Sequence, residues 1–273
     1  MSLVFPETLV LVGAGKMGGA MLDGWLANGL APEAVTILDP HPSPEIATLA
    51  REKGLSLNPP LAEVAPPAAL VLAIKPQSLD ASADTIARLA GAGTLVVSIL
   101  AGKTIANLRA RLPQAGAIVR AMPNLPAAVR RGVTAAVTSR ETSRERRAIA
   151  DSLLKGVGAV EWLDDESLID AVTAVSGSGP AYVFHLAECL AEAGAAAGLP
   201  PDLAARLARA TVVGAGEMLR QTELAPAKLR QNVTSPGGTT AAALDVLMAK
   251  DGLQPLLTKA VAAAKRRAGE LSG

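Results

Sequence analysis

The stretch Leu9 to Gly19, LVLVGAGKMGG, restricts what this chain can fold into more than any other. β-Favouring residues from Thr8 to Val12 run into Gly13, Gly15 and Gly18, and an apolar helical pattern follows at Met17, Ala20, Met21 and Trp25. That order predicts strand, tight turn, helix. The three glycines then have separate roles, in which Gly13 turns the chain, Gly15 lets backbone N–H groups approach a pyrophosphate, and Gly18 lets the helix lie close to the strand. The helix start offers the phosphates unpaired donors and a partial positive charge. A lone GxGxxG is a weak signal, but set between a strand and a helix it predicts a dinucleotide site.

Beyond it, strand-like runs at Val35–Leu38, Ala69–Ile74, Thr94–Ile99, Ala117–Arg120 and Val133–Thr138 alternate with helical patterns at Pro44–Lys53, Leu79–Leu89 and Thr104–Leu112. Ser43 caps the first of these helices, Pro44 opens it and Gly54 stops it. The alternation predicts an α/β fold with a parallel sheet, and near-continuous apolar strands such as LVLAI and LVVSI require helices on both faces. Ligands of such sheets sit beyond the carboxyl ends of the strands. Asp39 follows the second strand, where an acidic residue accepts hydrogen bonds from the ribose of NAD and repels a 2′-phosphate; the plainer reading is a turn before Pro40. Lys75-Pro76-Gln77 and Ser98 to Gly102 lie where the rest of the cofactor would pass. The Arg120 to Pro126 loop, stiffened by two prolines, either leaves the Asn124 amide free for a ligand or is a rigid connector.

After Leu163 the pattern becomes purely helical, which predicts a Rossmann-like dinucleotide-binding domain over 1–163 and an all-α domain over 164–273. Breaks fall at Ser176–Gly179, Gly198–Pro201, Thr222–Pro226 and Thr234–Thr240. The longest helices, Pro180–Gly198 and Pro201–Gln221, are rich in alanine and leave apolar surface that favours a partner subunit. SGSGPAY reads as a flexible linker by composition, but proline at the helix start argues for a defined turn. In VTSPGGTT, Gly237 and Gly238 free backbone N–H groups and Thr239 and Thr240 open a helix, a carboxylate-binding nest. A helix corner with a threonine cap fits the same residues.

Other features exclude classes of function. With 273 residues, 50% of them hydrophobic and only 2% aromatic, the chain has material for a core but no stacking platforms for single strands. A net charge of +1 and short basic clusters at Arg130, Arg131 and Arg144–Arg147, read as solvated faces, make nucleic acid an unexpected partner. The single cysteine, Cys189, and a start with no basic leader predict a cytoplasmic protein. Ala181–Leu199 carries His185, Glu188 and Glu192, so it reads as a buried helix rather than a membrane span. His185 and Cys189 share a helix face, but two ligands make no metal site and a packed histidine is expected. No lysine lies between Lys155 and Lys228 and the only tyrosine is Tyr182, so the base that alcohol oxidation requires is missing. An imine substrate removes that need, because it is protonated before hydride arrives.

Taken together, VGAGKMG, AIKPQ, SILAG, RAMPN, IDAVTAVSGSGPAYVF and LRQNVTSPGGTTAAAL resemble the pyrroline-5-carboxylate reductase family, and the resemblance covers nearly the whole chain. It implies reduction of 1-pyrroline-5-carboxylate to L-proline by NADPH or NADH, the last step of proline synthesis. The implied assembly is a homodimer of interlocking helical domains, often built into a decamer, with no membrane or metal involved. Matched by residue, the family's cofactor contacts fall on Gly13, Ala14, Gly15, Lys16, Met17, Gly18, Asn58, Ala73, Ile74, Lys75, Pro76, Ala101, Gly102 and Asn232. Its substrate contacts fall on Glu166, Glu223, Ser235, Gly238, Thr239 and Thr240, with Thr240 the catalytic hydrogen-bond partner of the ring nitrogen. The chain departs from the family at Asp39, where NADPH-preferring relatives carry polar or basic residues, and this points toward NADH. It also has Arg209-Ala210-Thr211 where glutamine before threonine is frequent. Two other readings stand beside this one. One is a related imine or oxo-acid reductase; the other is a non-catalytic NAD(P)-binding sensor, against which both intact glycine loops argue.

Overall fold

The computed structural model describes residues 3–272. Met1, Ser2 and Gly273, which enter the expected domain limits and the expected absence of a leader, lie outside the described residues. Among the described residues eight strands form one sheet: β1 (Leu9–Val12), β2 (Val35–Leu38), β3 (Ser56–Leu57), β4 (Ala69–Leu72), β5 (Leu95–Ser98), β6 (Ala117–Met122), β7 (Gly132–Thr138) and β8 (Gly158–Trp162). Their order is β3-β2-β1-β4-β5-β6-β7-β8. Between them run α1 (Lys16–Ala27), α2 (Pro44–Lys53), α3 (Ala83–Leu89), α4 (Ile105–Arg111) and α5 (Arg144–Lys155). Thereafter come α6 (Ile169–Val172), a π-helical turn at Thr173–Gly177, α7 (Gly179–Ala196), α8 (Pro201–Gln221), α9 (Pro226–Asn232), α10 (Thr239–Leu247) and α11 (Leu253–Ser272).

All neighbouring strands pair in parallel except β6 and β7, which are antiparallel. The expected all-parallel sheet therefore fails at one place, because the 123–131 connection is shorter than the dozen or so residues that a parallel crossover needs. Three elements escape the sequence pattern. β3 has too few residues to show a period, and β8 is a half-exposed strand at the edge of the sheet. The pattern does not predict α5; Arg144–Arg147, whose Arg144 and Arg147 are exposed as a solvated face should be, form its first turn, with the Ser143 hydroxyl accepting from the Arg146 N–H at 3.2 Å and the Arg147 guanidinium 4.7 Å from the Trp162 ring centre. α3 is shorter than expected, since 79–82 continue as turns after a 3-10 turn at Pro76–Ser78.

Alternation along the buried strands supplies two core layers. Leu9, Leu11, Val71, Val97 and Val119 face Met21, Leu22 and Trp25 of α1 and Leu153 and Leu154 of α5. Val10, Val12, Leu70, Leu72, Val96 and Ile118 face Ile86, Leu89 and Leu108 on the opposite side. Trp25 is fully enclosed, and its indole N–H donates to the Leu153 carbonyl at 2.7 Å, so its polar edge is not left unsatisfied on burial. α2 ends as its sequence predicts, with Ser43 Oγ accepting from the Ile46 N–H and Gly54 in the left-handed region at φ 72°.

The chain divides into two compact units, Met1–Gly177 with Lys265–Gly273, and Ser178–Ala264. The turns and short helix at 166–177, although past the last strand, belong to the first unit. Within the second, α7 and α8 pack closely: a Cβ on Gly194 would lie 3.2 Å from that of Ala204. α7 nevertheless holds no buried residue, which corrects the expectation of a buried helix over Ala181–Leu199. Val183, Phe184, Val213 and Met218 are each about half exposed, because one chain has nothing to lay over the apolar faces of α7 and α8. Among the described residues no helix is long and apolar enough to cross a membrane.

Candidate active site

The glycine loop is built from two tight contacts and one opening. Gly13 leaves β1 at φ 90°, its N–H donates to the Leu38 carbonyl at 2.9 Å, and a Cβ there would sit 2.8 Å from the Ala73 carbonyl oxygen. A Cβ on Gly18 would run into the Gly13 carbonyl oxygen. Gly15, by contrast, is the N-cap of α1, has no atom within 4 Å of where a Cβ would stand, and brings no side chain to the helix start. The start of α1 therefore has no side-chain cap, and Gly15 and Lys16 there are exposed. Backbone donors at a helix start, beside an opening that only a missing side chain leaves, fit a dinucleotide pyrophosphate.

Because β1, β2, β4 and β5 are parallel, their carboxyl ends deliver further candidates to the same edge of the sheet. Asp39 follows β2 and Asn58 follows β3. The Ala73 N–H donates to the Val12 carbonyl at 2.8 Å, which places Ala73, Ile74, Lys75 and Pro76 beside the loop. After β5, Ala101 is exposed and Gly102 turns the chain at φ 73°. Asp39 is held on both carboxylate oxygens: Oδ2 accepts from the Ala14 N–H at 2.7 Å and Oδ1 from the His41 N–H at 2.8 Å. Asn58 directs its amide at the backbone of Asp39, accepting from its N–H at 2.9 Å and donating to its carbonyl at 2.7 Å.

Glu166 also lies in this first unit. Its Oε1 accepts from Arg120 Nη1 and from the Ile105 N–H, each at 2.8 Å, so it ties β6 to the start of α4. Arg120 is only 4% exposed. Its place in AIVRAM was the signal available in the sequence, since a cation inside a buried strand demands an anionic partner. Asn124 corrects a second expectation. Rather than offering its amide to a ligand, it donates to the Ser176 carbonyl at 3.2 Å and accepts from the Val133 N–H at 2.9 Å. It thereby anchors the π-helical turn, which holds Ser176 and Gly177 of SGSG, while Gly179 opens α7.

In the second unit, Gly237 turns at φ 69°, the Gly238 N–H donates to the Ser235 carbonyl at 3.0 Å, and Gly238 is the N-cap of α10 with no side-chain cap bond. The threonine-capped corner is thus not what forms, since Thr239 and Thr240 are the first two helical residues. Ser235, Gly238, Thr239 and Thr240 converge on this helix start. Glu223 lies in the turn before α9 and Asn232 is the last residue of α9. His185 is exposed and pairs with Glu188 at 3.1 Å, not packed as expected, and Cys189 Sγ stands 3.5 Å from its Nε2. Among the described residues no group of three or more His, Cys, Asp or Glu could hold a metal ion.

Residues 166–271 match the family model described as pyrroline-5-carboxylate reductase dimerisation, and residues 8–102 match that described as NADP oxidoreductase, coenzyme F420-dependent. The pyrroline-5-carboxylate reductase of Pseudomonas aeruginosa is 39% identical over 265 residues, covering 97% of this chain and 96% of the relative. A solved pyrroline-5-carboxylate reductase of Coxiella burnetii superposes with a TM-score of 0.90 at 34% identity, covering 98% of this chain and 99% of that one. The Plasmodium falciparum enzyme, solved with NADP bound, gives 0.79 at 26% identity, covering 97% and 98%. A likeness this high, sustained over both units and both glycine loops, leads to one conclusion: the chain belongs to the pyrroline-5-carboxylate reductase family.

Proposed function

We propose that this protein reduces 1-pyrroline-5-carboxylate to L-proline with NAD(P)H, the last step of proline synthesis. The observation that carries the reading is the start of α10, where Gly238 caps without a side chain and Thr239 and Thr240 occupy the first helical positions. The backbone N–H groups of Thr239 and Thr240, left open by the missing side chain of Gly238, and the Ser235 hydroxyl would grip the substrate carboxylate. The Thr240 hydroxyl would accept a hydrogen bond from the protonated ring nitrogen, and the carbon doubly bonded to that nitrogen would take the hydride. A bound NAD(P)H supplies that hydride. The uncapped N–H groups of Lys16, Met17 and Gly18 would bind its pyrophosphate, and the 73–76 and 101–102 segments would line the remainder. Glu223 and Asn232 enter as substrate and cofactor contacts on family resemblance.

The chain would work as a homodimer joined through α7 and α8, whose exposed Val183, Phe184, Val213 and Met218 need cover, with a decamer as the larger assembly. An exposed, unpaired Cys189 suits a reducing compartment such as the cytoplasm. The test is direct: purified protein, 1-pyrroline-5-carboxylate and either NADH or NADPH should yield proline with matching loss of reduced nicotinamide. No proline with either donor overturns the assignment.

A further inference from the structure

We propose that Asp39 makes this protein bind NAD(H) in preference to NADP(H), and that Asn58 sets this preference by positioning Asp39. The proposal rests on the NAD(P)H reading above. A carboxylate at the end of β2 discriminates only if it cannot turn away from a phosphate, and here both of its oxygens are tied. Ala14, inside the glycine loop and only 3% exposed, donates to Oδ2 at 2.7 Å, while the His41 N–H donates to Oδ1 at 2.8 Å. An ionised carboxylate has about four acceptor positions, so two remain after these bonds are made. Ribose hydroxyls are donors and can use them. A 2′-phosphate is mostly dianionic at neutral pH, so it is chiefly an acceptor and brings like charge against a fixed anion.

Asn58 fixes the backbone that carries this group. It stands in the left-handed region at φ 51°, which asparagine tolerates better than most residues. Its own N–H donates to the Ile37 carbonyl at 2.8 Å, and its side-chain amide bonds both the N–H and the carbonyl of Asp39. The side chain thus continues the β2–β3 pairing by one residue and locks the direction in which Asp39 leaves the strand. No compensating cation is near in sequence: Pro40, His41 and Pro42 follow, and Arg51 and Lys53 lie in the last turn of α2. Lys16 opens α1 at the pyrophosphate end, a part that both dinucleotides share, so its charge does not choose between them.

The test is calorimetric titration of the full-length protein with NAD+ and NADP+, without turnover. The wild type should bind NAD+ at least tenfold more tightly. Asp39→Ser should shrink that ratio by tenfold or more, and Asn58→Ala should lower it by weakening NAD+ more than NADP+. A wild type that binds NADP+ as tightly as NAD+, or a ratio unchanged in Asp39→Ser, overturns the role of Asp39. Equal weakening of both dinucleotides by Asn58→Ala overturns positioning, because a merely structural residue would act on both alike. These ratios are independent of proline formation, so a failed reductase assay and a failed preference are separate results.

Discussion

Arg120 and Glu166 form an ion pair, Nη1 to Oε1 at 2.8 Å, in which the arginine is buried within β6 and the glutamate arrives from the segment after β8. The same Glu166 oxygen accepts the first N–H of α4. Family resemblance gives Glu166 to the substrate, whereas its geometry joins three elements of the first unit. Removing it would leave a guanidinium buried and unpaired, at a cost of about 3 kcal/mol. Glu166→Ala should therefore lower unfolding stability by that amount in urea titrations. A loss below about 1 kcal/mol, with the KM for the imine raised instead, would return Glu166 to the substrate.

Gly15 and Gly18 should separate binding from folding. Alanine at Gly15 meets no atom and finds a permitted φ of −67°, so stability should stay within about 0.5 kcal/mol of wild type. Its methyl would occupy the opening in front of α1, and dinucleotide affinity should fall roughly tenfold, about 1.4 kcal/mol. Gly18→Ala collides with the Gly13 carbonyl and should also destabilise the fold, by about 1–3 kcal/mol. Unchanged affinity in Gly15→Ala would move the pyrophosphate away from the helix start.

Thr240 carries no capping duty, since Gly238 holds the N-cap position of α10. Thr240→Ala should leave the melting temperature nearly unchanged while reducing kcat on the order of a hundredfold, about 2–3 kcal/mol of transition-state stabilisation. Thr240→Ser should restore most of the rate. A fully active alanine variant would show that the hydroxyl does not hold the ring nitrogen.

Phe184 and Val213 line a groove between α7 and α8 and are 57% and 64% exposed in the single chain. Placing aspartate at both should produce monomers in sedimentation velocity, since burying two unpaired charges would oppose association. A wild type that sediments as a fully active monomer would remove the dimer from the proposal.

The sequence alone determined the features that depend on local chemistry and short periods. Gly13, Gly15 and Gly18 between an apolar strand and an apolar helix predict the loop that forms, Ser43 and Gly54 predict the ends of α2, and the Pro201–Gln221 pattern predicts α8 to the residue. The motif set also pointed to the family. Tertiary structure decided what depends on which segments meet. No spacing could tell that Glu166 reaches the buried Arg120, that the Asn124 amide closes on Ser176, or that Asn58 grips the backbone of Asp39. Each of these bonds joins residues 19 or more positions apart, and their partners are set by strand order and register. The direction of β7 was hidden for the same reason: pairing is a property of two strands, while the pattern along either strand reports only which of its faces is buried.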